Sequence, residues 1–343
     1  MSASEEKEYH LREKEEDVVS TSDEKDYKQK NETFVEKFSV WRKNMIWRYF
    51  CFITLWHVIG FYGFITFPYS THKLTTLWIV IVYLYAVFGL CGGAHRYWSH
   101  RSFKAKLPLQ IILAGGHYTV GILRIYDWVK IHRVHHKYTD MDADPHNASR
   151  GFFYAHIGWW VQKKNPEFLK RLKEIDMSDV KADPVANFGD KYYYSMLTLM
   201  TVILPSLVPI FLWNESFYWA ILSQAFMRYV LALNSILLIN SAAHMFGSKP
   251  FNRYIMPSEN RLVVLLTTGE GWHNFHHTFP WDFRAGGIDK YDFNLTSFLI
   301  KQFEKIGWAY DLKTASNDLI KATSIKRGDG SHTKLWEEVP EPK

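Results

Sequence analysis

Eight of the sixteen histidines in this 343-residue chain fall in three tight groups: His95 with His100, His132 with His135 and His136, and His273 with His276 and His277. The chemistry they suggest is metal binding, because neutral imidazole is the commonest protein ligand for ions such as iron, zinc, copper and nickel. In the pattern HxxHH, residues i, i+3 and i+4 lie on one helical face, so each such box is expected to present three imidazoles towards one point. The five-residue step from His95 to His100 overshoots a regular helical face and suits a helix end, where the chain can turn His100 back. Eight imidazoles exceed what one ion accepts. A structural zinc site takes four ligands and usually includes cysteine, whereas two metals sharing eight or nine histidines keep positions open for an oxidant. The isolated His10, His57, His72, His117, His156 and His332 read instead as ordinary hydrogen-bonded residues.

Four long apolar runs must position these groups. Crossing hydrocarbon takes ~20 mostly apolar residues in a helix, and residues 47–67, 74–94, 192–213 and 217–239 qualify. The connections at 68–73 and 214–216 are long enough only for turns, so the spans form two hairpins. Arg42, Lys43, Arg48, Arg96, Arg101, Lys104 and Lys106 flank the first hairpin on its terminal side, while the turns offer only Lys73. Basic residues beside spans favour the cytosol, which predicts cytosolic termini and a cytosolic 95–191 connection. A further run, 107–125, is apolar but contains Pro108, Gly115, Gly116 and Gly121. Were it a fifth span, the first two histidine groups would lie on opposite sides of the membrane and could share no metal, so it reads as an interfacial or re-entrant helix.

The expected fold is therefore an all-α membrane protein: four transmembrane helices in two hairpins, with a cytosolic helical cap holding a dimetal site. Residues 1–38 are charged, poor in core-forming side chains and without the apolar stretch of a signal peptide, so they are expected to be a disordered cytosolic tail. Residues 39–313 form the catalytic domain and 314–343 a second cytosolic tail. Cys51 and Cys91 both lie in spans, and no disulfide framework is expected. A net charge of +6 could suggest nucleic acid, but beside four spans it points to anionic lipid or an acidic protein partner. No dinucleotide fingerprint or haem-attachment motif occurs, so electrons for redox chemistry must come from outside. Asp127, Asp142, Asp144 and Glu270 lie close enough to the boxes to orient imidazoles, with Asp144 and Glu270 the favoured pair. Arg228 stands inside the fourth span, where a charge is costly and needs a partner.

The segments AHRYWSHRSFKA, HRVHHKYTDMDADPHN and GEGWHNFHHTFPWDF, with NSAAHMFG before the last, resemble the animal acyl-CoA desaturases, the stearoyl-CoA desaturase family of membrane histidine-box di-iron enzymes, and its insect members most of all. The likeness runs from Trp41 to the GWAYDLK at 307–313. It implies that His95, His100, His132, His135, His136, His244, His273, His276 and His277 bind two iron ions, and that Asn240 reaches one of them through water. It also implies an enzyme of the endoplasmic reticulum membrane. Such an enzyme would use O2 and two electrons from cytochrome b5 and its reductase to place a cis double bond, delta-nine type, in a long fatty acyl-CoA. Tyr83 and Val87 match positions that close the family's acyl tunnel.

Departures from the family cluster on the substrate side. Where the family usually has Arg-Asp before the second box to contact coenzyme A, this chain has Lys130 and Ile131, although Trp128 is retained. Lys163 and Lys164 stand for a family Arg-Lys pair, keeping charge but losing a bidentate fork. Ile122 replaces a Gln beside the acyl chain, and Lys43 replaces a head-group Asn. Two other readings therefore remain: a related lipid hydroxylase or desaturase of an acyl chain not carried by coenzyme A, and a non-catalytic metal-binding paralogue.

Overall fold

In the computed structural model, residues 39, 41–287 and 292–331 are described. His10, His332, the whole of the tail at 1–38 and the end of the tail at 314–343 fall outside them. The chain divides into two units, Met1–Trp47 and Arg48–Lys343. The first contributes a helical turn at 41–44, and the second carries everything else.

Among the described residues, four helices are long and apolar enough to cross a membrane: Trp47–Thr66, Lys73–Ser99, Tyr193–Trp213 and Phe217–Met245. The second and fourth run about five residues past the ends expected from hydropathy. Hydropathy cannot register such extensions, because the added turns carry polar residues, His95 and His244 among them. The four are not equivalent. In their most apolar stretches, 17% and 22% of residues are buried in the first and third spans, against 56% and 72% in the second and fourth. The inner pair therefore forms the core, and the outer pair presents its side chains outwards.

At one end the two hairpin turns are tied together. Glu215 in the second turn accepts hydrogen bonds from Thr75 at 2.5 Å and lies 2.7 Å from His72 Nδ1, and Trp213 donates to Thr75 at 2.9 Å. All the grouped histidines lie towards the opposite end.

The run at 107–125 becomes a helix over Leu107–Val120, ended by Gly121 in the left-handed conformation. Fourteen residues rise about 21 Å, short of the roughly 30 Å of hydrocarbon. It packs on the second span so closely that a Cβ on Gly89 would stand 2.3 Å from the Gly116 carbonyl carbon. Only glycine at both positions permits that contact. Beyond it, Phe103, Leu109, Leu113, Ile125, Val129, Phe283 and Ile300 share a buried cluster that joins the cap to the second span. Fully burying each such side chain contributes about 1.5–3 kcal/mol. A two-stranded antiparallel pair, Lys104–Ala105 with Ala309–Tyr310, closes the cap. Past residue 313, the helix Asn317–Arg327 buries Ile320 against Phe251, Phe275 and Phe279.

Arg228 finds its partners in backbone carbonyls. Its guanidinium donates to Thr119 O at 2.7 Å, Thr201 O at 2.6 Å and Gln224 O at 3.1 Å. Thr119 lies in the last turn of its helix, where carbonyls lack intrahelical donors, and Thr201 lies in a π-helical stretch, Leu199–Ile203. One fork thus satisfies three elements. Arg228→Leu would strand these carbonyls at about 1–3 kcal/mol each, so its thermal midpoint in detergent should fall by several degrees, with Arg228→Lys intermediate.

Candidate metal centre

The first box sits on a π-helical segment, Gly89–Ser99, that ends the second span. The His100 amide donates to the His95 carbonyl at 3.2 Å. Its i to i+5 bonding carries residues five apart onto nearly the same face, which is how His95 and His100 come to point together. The second box lies on the helix Ile125–Lys137 and the third on the helix His273–Thr278. His244 ends the fourth span.

The nine histidines separate into two groups. His95, His100, His132, His136 and His276 form one, and His135, His244, His273 and His277 form the other. Within each group the ligand atoms all lie within 4.8 Å of one another. Each HxxHH box is therefore divided, rather than aimed at a single point. At about 100° per residue, i+4 lies ~40° to one side of i and i+3 lies ~60° to the other. His132 and His136 go one way and His135 the other; His273 and His277 go one way and His276 the other.

Nitrogens face nitrogens throughout. Nε2 to Nε2 separations are 2.8 Å for His95 and His276, 2.9 Å for His100 and His132, and 3.0 Å for both His136 with His276 and His244 with His273. Imidazole nitrogen binds zinc at ~2.0–2.1 Å, so ligands at right angles about such an ion stand about 3.0 Å apart. The spacing fits a divalent first-row ion in each group. His135 Nε2 is buried and has no hydrogen-bond partner among the described residues, as a nitrogen reserved for a metal should be.

Carboxylates hold the other ring nitrogens. His95 Nδ1 lies 2.8 Å from Glu270, His135 Nδ1 2.9 Å from Asp144, and His244 Nδ1 3.0 Å from Asp140. These contacts leave Nε2 as the lone-pair nitrogen. Asp140 escaped the sequence reading, although it sits four residues past His136 in the same loop as Asp144. Arg96 also escaped it: fully buried, it donates to Glu270 at 2.7 Å, to Phe283 O and to Ser297. Its place beside His95 was the available signal. Asp127 pairs with Arg124 instead, and Asp142 is exposed.

Electrostatics favours neutral imidazoles in the cap. Burial, then repulsion from neighbouring histidines, pushes His132, His136, His273, His276 and His277 well below the ordinary range. Neutral imidazole is the metal-binding form. His135 moves the other way: burial lowers it, but the charge and hydrogen bond of Asp144 and the charge of Asp140 together outweigh that. Burial would raise the Glu270 carboxyl, but Arg96 and then His95 bring it down to about 2.

Beside the histidines is a narrow cavity of about 60 Å³, bordered by His95, His132, His135, His273 and Asn240 and otherwise mostly apolar. Trp128 stacks on His132 with centroids 4.8 Å apart, and Ile122, Ile131, Leu233 and Ile236 add to the wall. Tyr83 and Val87 are buried with Leu90 and Ile236, two of the cavity's lining residues, and the Tyr83 hydroxyl is 3.0 Å from Ser235 Oγ. Lys164 turns inward, donating to Trp159 O at 2.6 Å, and burial lowers its pKa to about 8. Lys163 is exposed and Lys130 half-buried near Tyr126. Lys43 is exposed in the N-terminal unit. Of the isolated histidines, His57, His72, His117 and His156 all make hydrogen bonds.

The sequence profile described as fatty acid desaturase matches residues 74–285. This chain belongs to the fatty acid desaturase family. It is 42% identical over 296 residues to an acyl-CoA Delta-9 desaturase of Acheta domesticus, covering 86% of this chain and 82% of that protein. It is 45% identical over 300 residues to an acyl-CoA Delta(11) desaturase of Spodoptera littoralis, covering 86% and 87%. Against stearoyl-CoA desaturase 5 of Homo sapiens the identity is 41% over 290 residues, covering 84% and 87%. The matched region contains every grouped histidine of this desaturase, and all three orienting carboxylates.

Those carboxylates give a direct test. Asp140→Asn, Asp144→Asn and Glu270→Gln should each weaken metal retention roughly 10–100-fold, read as metal per chain after dialysis against a graded chelator. The exposed Asp142→Asn should match the unsubstituted protein.

Proposed function

We propose that this chain is an acyl-CoA desaturase of the endoplasmic reticulum membrane, with both termini and the histidine centre on the cytosolic side. It places a cis double bond, delta-nine type, in a long-chain fatty acyl-CoA. The observation that carries this reading is the apolar cavity bordered by histidines of both groups. A methylene pair lying there would be next to both metals.

His95, His100, His132, His136 and His276 would hold one iron. His135, His244, His273 and His277 would hold the other, with Asn240 completing that four-histidine set through water. Iron there would supply an oxidant generated from O2, which is needed because no protein side chain can take hydrogen from an unactivated methylene. The chain's own residues bind and orient. Glu270, Asp140 and Asp144 fix the ring tautomers, Trp128 and the isoleucines exclude water, and Lys130, Lys163 and Lys164 supply positive charge for the coenzyme A phosphates. Lys43 is a further head-group candidate. Tyr83 and Val87 close the far end and limit chain length. Electrons come from cytochrome b5 and its reductase, an acidic donor suited to a basic cytosolic face. A second reading, an acyl chain carried by something other than coenzyme A, is favoured by Ile131, which cannot accept the hydrogen bonds a carboxylate would.

Expression in desaturase-deficient yeast tests the proposal. New cis-monoenes should appear in the lipid profile, and His135→Ala should reduce them to background. A monoene yield unchanged by His135→Ala would end the metal mechanism. Hydroxylated lipids, or no product despite bound iron, would favour the other readings. Val87→Phe should shift products to shorter chains, measured by gas chromatography of the same extracts.

A further inference from the structure

A second and larger hollow opens beside the acyl cavity. It is a groove of about 1010 Å³ between the first and third spans, lined by Phe52, Ile53 and Trp56 on one side and Leu197, Thr198 and Val202 on the other. These are the two outward-facing spans, so the groove faces the membrane. It shares Ile122, Leu123 and Trp160 with the acyl cavity, so these three residues are the wall between them.

The cavity alone has space for roughly four or five water molecules, and a long acyl chain needs several times that. Something must move to admit one, and the shared wall is suited to it. Residues 122–124 form a short connection between two helices, outside regular structure. Two side-chain hydrogen bonds hold it: Tyr193 to Ile122 O at 3.0 Å and His117 to Leu123 O at 2.8 Å. The groove's rim carries Arg48 and Lys191, neither paired with a carboxylate among the described residues, while Arg124 is paired with Asp127. Two cations that have aromatic neighbours but no carboxylate partner among the described residues, above an aromatic, apolar trough, suit an amphiphile with an anionic phosphate head.

We propose that this groove is the membrane-side port of the enzyme. A long-chain acyl-CoA dissolved in the adjoining leaflet enters between the first and third spans, its phosphates near Arg48 and Lys191, and its acyl chain crosses at Ile122, Leu123 and Trp160. Entry by this route keeps the methylenes out of water throughout. The proposal rests on the substrate class given above.

Bulky substitutions in the groove, away from the cavity, test it. Thr198→Trp, at an exposed position, should lower kcat/KM at least tenfold in bilayer nanodiscs while leaving single-turnover desaturation of preloaded acyl-CoA unchanged. Leu207→Trp, on the same span outside the groove, should change neither, and all proteins should elute as monodisperse peaks. Arg48→Ala with Lys191→Ala should raise KM several-fold at constant kcat. A diazirine-bearing acyl-CoA should label the peptide containing residues 192–202, and Thr198→Trp should abolish the label. Unchanged kcat/KM in Thr198→Trp, or absence of label from that peptide, would overturn the port. So would a photoreactive phospholipid that labels the peptide and resists excess acyl-CoA, since that marks a resident lipid. If the unsubstituted protein desaturated nothing, the proposed function would fall, and photolabelling would still decide the port.

Discussion

The arrangement on which the rest depends is the crowding of nine imidazoles into two groups with nitrogens about 3 Å apart. Neutral imidazoles whose lone pairs meet at that distance repel one another, and a cation between them turns the repulsion into mutual attraction. The carboxylates make the conflict sharper. Glu270, Asp140 and Asp144 engage Nδ1 on His95, His244 and His135, so Nε2 is the nitrogen left to face its neighbours. The polypeptide is shaped to keep these rings in place, and the metal-binding capacity follows from that shape.

Holding them requires contacts that would be unfavourable alone. Arg96 and Glu270 are buried charges, and removing both from water costs several kcal/mol each before their attraction is counted. They persist because every part of the fork is used: Arg96 also donates to Phe283 O and Ser297, tying the end of the second span to the C-terminal part of the cap. The π-helical winding of Gly89–Ser99 is a similar case. It weakens the regular ladder but turns His95 and His100 together, and the close approach of Gly89 to Gly116 braces the same segment. Arg228 does comparable service deeper in the membrane, where its donors replace water for carbonyls that helix ends and π-turns leave over.

Much of this was legible in the sequence because it is periodic or segregated. Spans announce themselves by apolar length, and three histidine boxes on one side require an even number of crossings between them, which placed Leu107–Val120 outside the set of spans. Spacing also found Asp144 and Glu270. It did not find Asp140, since a carboxylate in a loop has no period and its partner, His244, is 104 residues away. Nor could it foresee that each HxxHH would serve two groups. Residues i+3 and i+4 flank i on opposite sides, and whether they converge or part depends on where neighbouring helices bring the other imidazoles. Arg96 was misread for a related reason: a basic residue at a span end looks like a topology signal unless its burial is known.

The same contrast separates the reaction from its target. The histidine centre draws on many elements at once, so its geometry is over-determined and tolerates little change. The cavity wall is a set of individual side chains, such as Ile122, Ile131, Leu233 and Ile236, each replaceable without disturbing the imidazoles. Relatives named for Delta-9 and Delta(11) desaturation are 42% and 45% identical to this chain. Overall similarity therefore does not follow bond position. Position must depend on how far the chain advances before its end meets resistance and where its head is held. Under the proposed function those are properties of the packing that Tyr83 and Val87 share with Leu90 and Ile236, and of a head-group contact at which Ile131 offers no hydrogen bond.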